Sequence, residues 1–196
     1  MSDRPIEFPA EGLSDGGMRL RLIADADLPA IVAACQDPEI PRWTRIPQPY
    51  GEEDARGWLE QEAALRSRGE QLGLLVVGAD DDRLLGSVGV VHFDWTEERC
   101  ELGYWVAREA RGRGLASGAV TVLTAWIFKA LPIDRVQICA EPENTGSRRV
   151  AERAGFTFEG VLRSYILNKG TRRDMAMYSR LRTDPPSRTW SPSELR

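Results

Sequence analysis

The most constraining feature of the chain is the stretch from Glu101 to Leu131, ELGYWVAREARGRGLASGAVTVLTAWIFKAL. It opens as a strand, with Leu102, Tyr104 and Val106 alternating against Glu101, Gly103 and Trp105. It passes through Arg111-Gly112-Arg113-Gly114-Leu115-Ala116 and continues as an amphipathic helix, with Leu115, Ala119, Val122, Leu123, Trp126 and Ile127 on one apolar face. Glycines at the join let backbone approach a ligand closely, and the first turn of the helix has N–H groups with no intrahelical acceptor. Those donors and the positive end of the helix dipole favour an anion, most often a phosphate. Arg111 and Arg113 add formal charge, so the join reads as a phosphate cradle that includes Ser117 in the helix's first turn.

Two well-known cradles fit poorly. The P-loop requires Gly-Lys-Ser/Thr after its glycine gap, and no such run exists. The dinucleotide fingerprint requires Gly-x-Gly-x-x-Gly directly after a strand. Gly112-x-Gly114-x-x-Ser117 is a near miss, with Asp134 where an acid is wanted, but Ala107 to Ala110 separate strand from glycines. A glycine turn that binds nothing is the remaining plain alternative.

The arrangement resembles the GNAT acetyltransferase superfamily, whose signature is Arg/Gln-x-x-Gly-x-Gly/Ala after the fourth strand. Arg111, Gly114 and Ala116 fill its three specified positions, and the resemblance runs from about Met18 to Arg182. It implies an α/β (α+β) fold: a mixed, mostly antiparallel twisted sheet whose fourth and fifth strands are a splayed parallel pair, with about four flanking helices. It also implies acetyl-CoA, or another acyl-CoA, as co-substrate, its pyrophosphate held by the backbone amides of the loop from Arg111 to Ser117. Unpaired backbone near Trp105 and Val106 would face the thioester.

Upstream, residues 1–17 are polar and broken by proline and glycine, and read as a flexible segment without the apolar core of a signal peptide. Met18 to Ile23 alternates as a first strand, and Asp25 reads as the N-cap of a helix carrying Leu28, Ile31, Val32 and Cys35. Prolines 38, 41, 47 and 49 forbid a continuing helix, and Trp43 and Tyr50 in that loop either cover the core or wall an acceptor pocket. Glu52 to Leu65 reads as a second helix, stopped near Gly69. Leu72–Val77, Leu84–Phe93 and the strand entering the cradle follow in antiparallel succession. Ile133–Ala140 is a fifth strand parallel to the fourth, because a helical crossover separates them. Asn144 caps a short helix that Gly155 ends, and Phe156–Leu167 with Asp174–Leu181 form a hairpin around Gly170. Residues 18–182 thus form one domain, and 183–196, rich in Pro and Ser, read as a disordered tail.

The net charge of −4 over 196 residues argues against a nucleic-acid partner. No segment reaches the ~20 apolar residues of a membrane span. Cys35, Cys100 and Cys139 are widely spaced and odd in number, which suits neither a metal site nor a disulfide framework and points to a reducing cytoplasm. His92 is the only histidine and reads as a structural residue near a strand end, so no His-based triad or metal centre is expected.

Glu141-Pro142-Glu143-Asn144-Thr145-Gly146-Ser147, Ala154-Gly155-Phe156 and Glu159-Gly160 resemble the ribosomal-protein alanine/serine N-acetyltransferase branch. The superfamily's frequent tyrosine acid falls at Ala151, which has no proton to give. In the branch, a serine at the position of Ser147 is the proposed acid and a glutamate at that of Glu159 the proposed base. Ser147 has two further readings, a donor of a hydrogen bond near the cofactor sulfur and a polar residue of the helix's first turn. Glu101 is the rival base, on the fourth strand beside the same cleft. Arg149, on the short helix with Arg148 and Arg153, is placed to meet the cofactor's ribose phosphate, and Asn144 is placed beside the cofactor. The expected acceptor is a primary amine, such as a protein N-terminus. The alternatives are a small amine (polyamine, antibiotic or metabolite) and a non-catalytic acyl-CoA-binding module. Branch members often dimerise, so a homodimer is an open possibility.

Overall fold

The computed structural model describes residues 4–185. Eight strands form one sheet in the order β1-β2-β3-β4-β5-β6-β8-β7. They are β1 (Leu13–Ser14), β2 (Met18–Arg21), β3 (Leu72–Gly78), β4 (Leu84–Asp94), β5 (Arg99–Val106), β6 (Arg135–Ala140), β7 (Thr157–Asn168) and β8 (Thr171–Leu181). Five α-helices accompany them among the described residues, one more than expected: α1 (Leu28–Cys35), α2 (Glu39–Trp43), α3 (Glu52–Ser67), α4 (Leu115–Ala130) and α5 (Thr145–Arg153). All neighbouring pairs are antiparallel except β5 and β6.

Helices cover both faces of the sheet, and each face has its own core. One core is built on Leu20, Val88, Leu102 and Ile138 with Leu115, Val120, Leu123 and Ile127 of α4 and Ala151 of α5. The other packs Ile31 and Cys35 of α1, Ile40, Tyr50 and Ala55 against Leu75 and Val77. The 2-residue period of β3 feeds both: Leu74 and Val76 belong to the first core, Leu75 and Val77 to the second. Ala151 is fully buried in the first core.

Local chemistry sets the helix ends. Asn144 caps α5 through Oδ1, which accepts the Ser147 N–H at 3.0 Å. Asp54 Oδ2 accepts the Gly51 N–H at 2.8 Å at the start of α3. Asp25 does not cap α1; it opens a 3-10 turn over Asp25–Asp27, and Asp27 Oδ2 takes the Ala24 N–H at 2.8 Å. The proline-rich loop also contains a short helix, α2, which starts after Pro38 and holds Pro41 in its interior.

The amino-terminal expectation changes most. Residues 4–17 are not a loose segment: Ile6 is 2% exposed, its N–H bonds Arg66 O at 3.1 Å, and Phe8 meets Trp126 edge-on at 5.2 Å. Leu13–Ser14 adds an edge strand to β2. The two apolar anchors stand at the strand period, but Pro5 and Pro9 bound a run too short to read as a strand. At the other end, residues 186–196 of the expected tail lie outside the described residues.

Candidate active site

The β5–β6 pairing is what makes a site. Its register runs from Arg99↔Arg135 through Glu101↔Gln137 to Leu102↔Ile138 and then stops. From Gly103 to Val106, β5 has only β4 beside it, so the strand edge that faced β6 is unpaired there. The two strands part around a cleft of about 1780 Å³. That exceeds the ~300–1,000 Å³ of a single small-ligand pocket, so two reactants fit together. A β-bulge in β4 between Val90 and His92 lies opposite Glu101, where bulges commonly re-aim side chains at sites.

One wall is the cradle. Gly112 and Gly114 have φ of +78° and +73°, a backbone that side-chain-bearing residues rarely adopt, and a Cβ built on Gly112 would meet no atom within 4 Å. Open space beside glycine backbone, followed by the free N–H groups of the first turn of α4, fits a diphosphate. Trp105, Val106, Arg111, Gly112, Gly114, Leu115, Ala116, Ser117, Asn144 and Arg149 all line the cleft. Arg113 does not line it. Arg111 lines it but is engaged within the protein: Nη2 lies 2.7 Å from Asp37 Oδ2 and Nε donates to Val106 O at 3.1 Å. Its charge is therefore partly neutralised and ties the cradle to the end of α1. The Ser117 hydroxyl donates to Gly114 O at 2.8 Å, leaving its backbone N–H as its contribution to the wall.

The opposite wall carries Trp43, Tyr50 and Trp58 with Glu39, Glu53 and Glu62. Trp43 Nε1 donates to Glu39 Oε2 at 3.2 Å, and this bond, helped by Arg42, holds the Glu39 carboxyl below its ordinary range. Tyr50 is buried in the second core and also lines the cleft. Glu62 is 5% exposed and burial pushes its carboxyl up, partly offset by Arg66, whose Nε donates to it at 3.1 Å. The hairpin of β7 and β8 closes this side, with Lys169 bonding Pro41 O and Asn168 and Tyr165 in the lining.

Between the walls stand Glu101 and Ser147. Glu101 lies on β5 one residue before the last β5–β6 pair, and its Oε2 has only long contacts, 3.4 Å from Gln137 Nε2 and 3.6 Å from Cys139 Sγ. Burial raises the Cys139 thiol well above its ordinary value, with the Glu101 charge adding to the shift, so it stays protonated and poorly nucleophilic. His92, read from sequence as structural, is paired with Glu101 across β4 and β5 and lines the cleft. Ser147 sits in the first turn of α5, with its Oγ 2.7 Å from the Tyr104 hydroxyl. Tyr104 escaped the sequence reading because strand alternation labels it as core. Only the parting of β5 and β6 exposes its hydroxyl to a site.

Glu159 is placed elsewhere. It is the bulged residue of β7 between Phe158 and Gly160, exposed, and absent from the cleft lining. Arg135 grips both its oxygens at 2.8 and 2.5 Å and Ser179 Oγ donates at 2.6 Å. The Arg135 bonds, with that from Ser179, hold its carboxyl down to about 2. So placed and so paired, Glu159 lies apart from the cleft in which it was expected.

Among the described residues no group of His, Cys, Asp and Glu could hold a metal ion, and no helix is long and apolar enough to cross a membrane. Comparison with known proteins agrees with this geometry. Residues 18–157 match the model of the Acetyltransferase (GNAT) domain. The chain is 35% identical over 135 residues to YdaF of Bacillus subtilis (strain 168), named as a candidate ribosomal N-acetyltransferase, covering 69% of this chain and 70% of that one. It is 26% identical to the ribosomal-protein-serine acetyltransferase of Escherichia coli (strain K12), covering 71% and 75% of the two chains. Its fold matches that of RimL, a ribosomal L7/L12 alpha-N-protein acetyltransferase solved with coenzyme A, with a TM-score of 0.78 over 87% of this chain and 97% of that one at 22% identity. The chain belongs to the GNAT acetyltransferase family, as an N-acetyltransferase that draws its acetyl group from acetyl-CoA.

Proposed function

We propose that this enzyme acetylates the α-amine at a polypeptide N-terminus, with Glu101 as the base. The observation that carries the reading is Glu101 itself, a carboxylate without a strong partner at the point where β5 and β6 part. The ribosomal-protein acetyltransferases among the relatives support a protein acceptor. So does a second wall of aromatic and acidic side chains, suited to a cationic amine carried on a chain.

The cradle binds the phosphates of acetyl-CoA through backbone N–H groups of Gly112 to Ser117, and Arg149 on α5 is placed for its remaining phosphate. An α-amine has an ordinary pKa of ~7.7–8.0, so much of it arrives protonated and must lose a proton before it can attack. Glu101 removes that proton, directly or through one water. The unpaired N–H groups of Gly103–Val106 are placed to stabilise the negative charge that grows on the thioester oxygen. Ser147 donates a hydrogen bond to the departing sulfur. A thiol is a far stronger acid than an alcohol, with an ordinary value of ~8.5, so the thiolate needs a donor more than it needs a proton from serine. No cysteine or serine becomes acetylated; the amine attacks directly.

Thiol release should be followed with acetyl-CoA and three acceptor sets: peptides with free N-terminal Ser or Ala, the same peptides blocked at the N-terminus, and polyamines. Release with free peptides alone supports the reading. Release with polyamines alone would transfer the enzyme to the small-amine class, and release with none while acetyl-CoA binds would favour a binding module.

A further inference from the structure

We infer that Tyr104 is a positioning residue for the leaving-group step, acting through the Ser147 hydroxyl. The inference rests on the reading of Ser147 as the donor to sulfur. Tyr104 is on β5, Ser147 on α5, and the two meet at the bottom of the cleft across 43 residues of chain. The O···O distance of 2.7 Å is at the optimum for a hydroxyl pair, and Tyr104 Oη is also 3.2 Å from Ser147 O.

Each hydroxyl has one proton, so the pair has two arrangements. In one, Tyr104 donates to Ser147 O and Ser147 donates to Tyr104. In the other, Tyr104 donates to Ser147 Oγ and the Ser147 proton is released toward the cleft. An arriving anionic sulfur selects the second, because a charge-assisted bond is roughly twice as strong as a neutral one. The proton of Tyr104 then fills the lone pair that Ser147 would otherwise leave without a donor, and the two bonds polarise one another. Burial pushes the phenol well above its ordinary value, so Tyr104 remains a donor throughout the working pH range and never passes its proton on. No bond is made or broken at Tyr104: the carbon–sulfur pair goes to sulfur, and the thiolate leaves bonded to Ser147. Without Tyr104 the serine hydroxyl is free to turn back onto a carbonyl of its own helix, as serines in helices do.

The test compares Tyr104→Phe, Ser147→Ala and the double variant by kcat, KM for acetyl-CoA and coenzyme A affinity. Tyr104→Phe should lower kcat roughly 3- to 10-fold, the worth of one hydrogen bond, with KM and coenzyme A affinity unchanged. Ser147→Ala should cost at least as much, and adding Tyr104→Phe to it should cost nothing more. Native kcat in Tyr104→Phe beside a slow Ser147→Ala would overturn the Tyr104 role and leave the Ser147 reading standing; additive losses would overturn it too. Native kcat in Ser147→Ala would remove the underlying reading instead. Should Tyr104→Phe not fold, 3,5-difluorotyrosine at position 104 keeps the hydroxyl while lowering the pH at which it ionises. The kcat profile should then acquire a falling alkaline limb that the native enzyme lacks, and an unchanged profile would overturn the proposal.

Discussion

Glu101 and Glu159 are two carboxylates on one sheet, and their surroundings give them opposite properties. Glu159 has three close donors, including both arms of Arg135, and stands on the exposed outer strand. Glu101 has two long contacts and lines the cleft. The tighter a carboxylate is held by cations and hydroxyls, the weaker a base it becomes, which is the ground on which Glu101 is proposed over Glu159. Rich hydrogen bonding around a titratable group marks structure as readily as it marks function.

The sharpest way to break this contrast is Glu101→Gln. It should lower kcat by ~10²–10⁴ with peptide acceptors, the usual range for losing a general base, while calorimetry shows acetyl-CoA binding unchanged. A kcat within a factor of two of native would return the base to another group, with His92 the first to test. Gly114→Ala should come next. A methyl at φ +73° costs about 1–2 kcal/mol, which the free loop sheds by leaving that conformation, so acetyl-CoA affinity should fall roughly 5- to 30-fold, the cost of restoring the loop on binding. Native affinity together with native thermal stability would mean that the loop backbone does not carry the phosphates.

Glu159→Gln should leave kcat within about twofold, the range of a substitution remote from the chemistry. Its effect should appear in acid stability instead. The folded pKa of Glu159 lies below its unfolded value, so its pairing stabilises the fold above the ordinary carboxylate value of ~4.3. That contribution is lost as pH falls through about 2. At 39% side-chain exposure it amounts to less than about 1 kcal/mol, and urea titration at pH 7 against pH 3 should show the variant's deficit shrink in acid. Fully retained stability at both values, with lost turnover, would reverse the roles assigned to the two glutamates. Asp37→Asn is the smallest change: it frees Arg111 from its 2.7 Å partner and should shift KM for acetyl-CoA by no more than a few-fold.

Most of the fold was legible because local signals and tertiary placement agreed. The helix after the glycines was readable from its apolar face, the parallel β5–β6 pair from the helical crossover, and α5 from Asn144 and Gly155. Where the sequence misled, the cause was that tertiary contacts outweighed local composition. Ile6 and Phe8 anchor a stretch that reads as loose, and α2 forms in a loop whose prolines argue against helix. The site divided in the same way. The cradle is a local object, made of consecutive backbone, and its glycines announce it. The pair of cleft walls is not local: Tyr104 meets Ser147, and Arg111 meets Asp37, only through the folding of distant segments.

The sequence by itself therefore determined the family and the co-substrate, and it marked a glycine loop suited to phosphates, because glycine conformational freedom and helix polarity act within a few residues. Only the tertiary structure decided which glutamate faces the cleft. A motif can say that a glutamate precedes a glycine, but the bulge that turns Glu159 onto Arg135 and the strand parting that leaves Glu101 in the cleft depend on sheet register. Register is set by the whole sheet, and a one-residue shift sends a side chain to the opposite face.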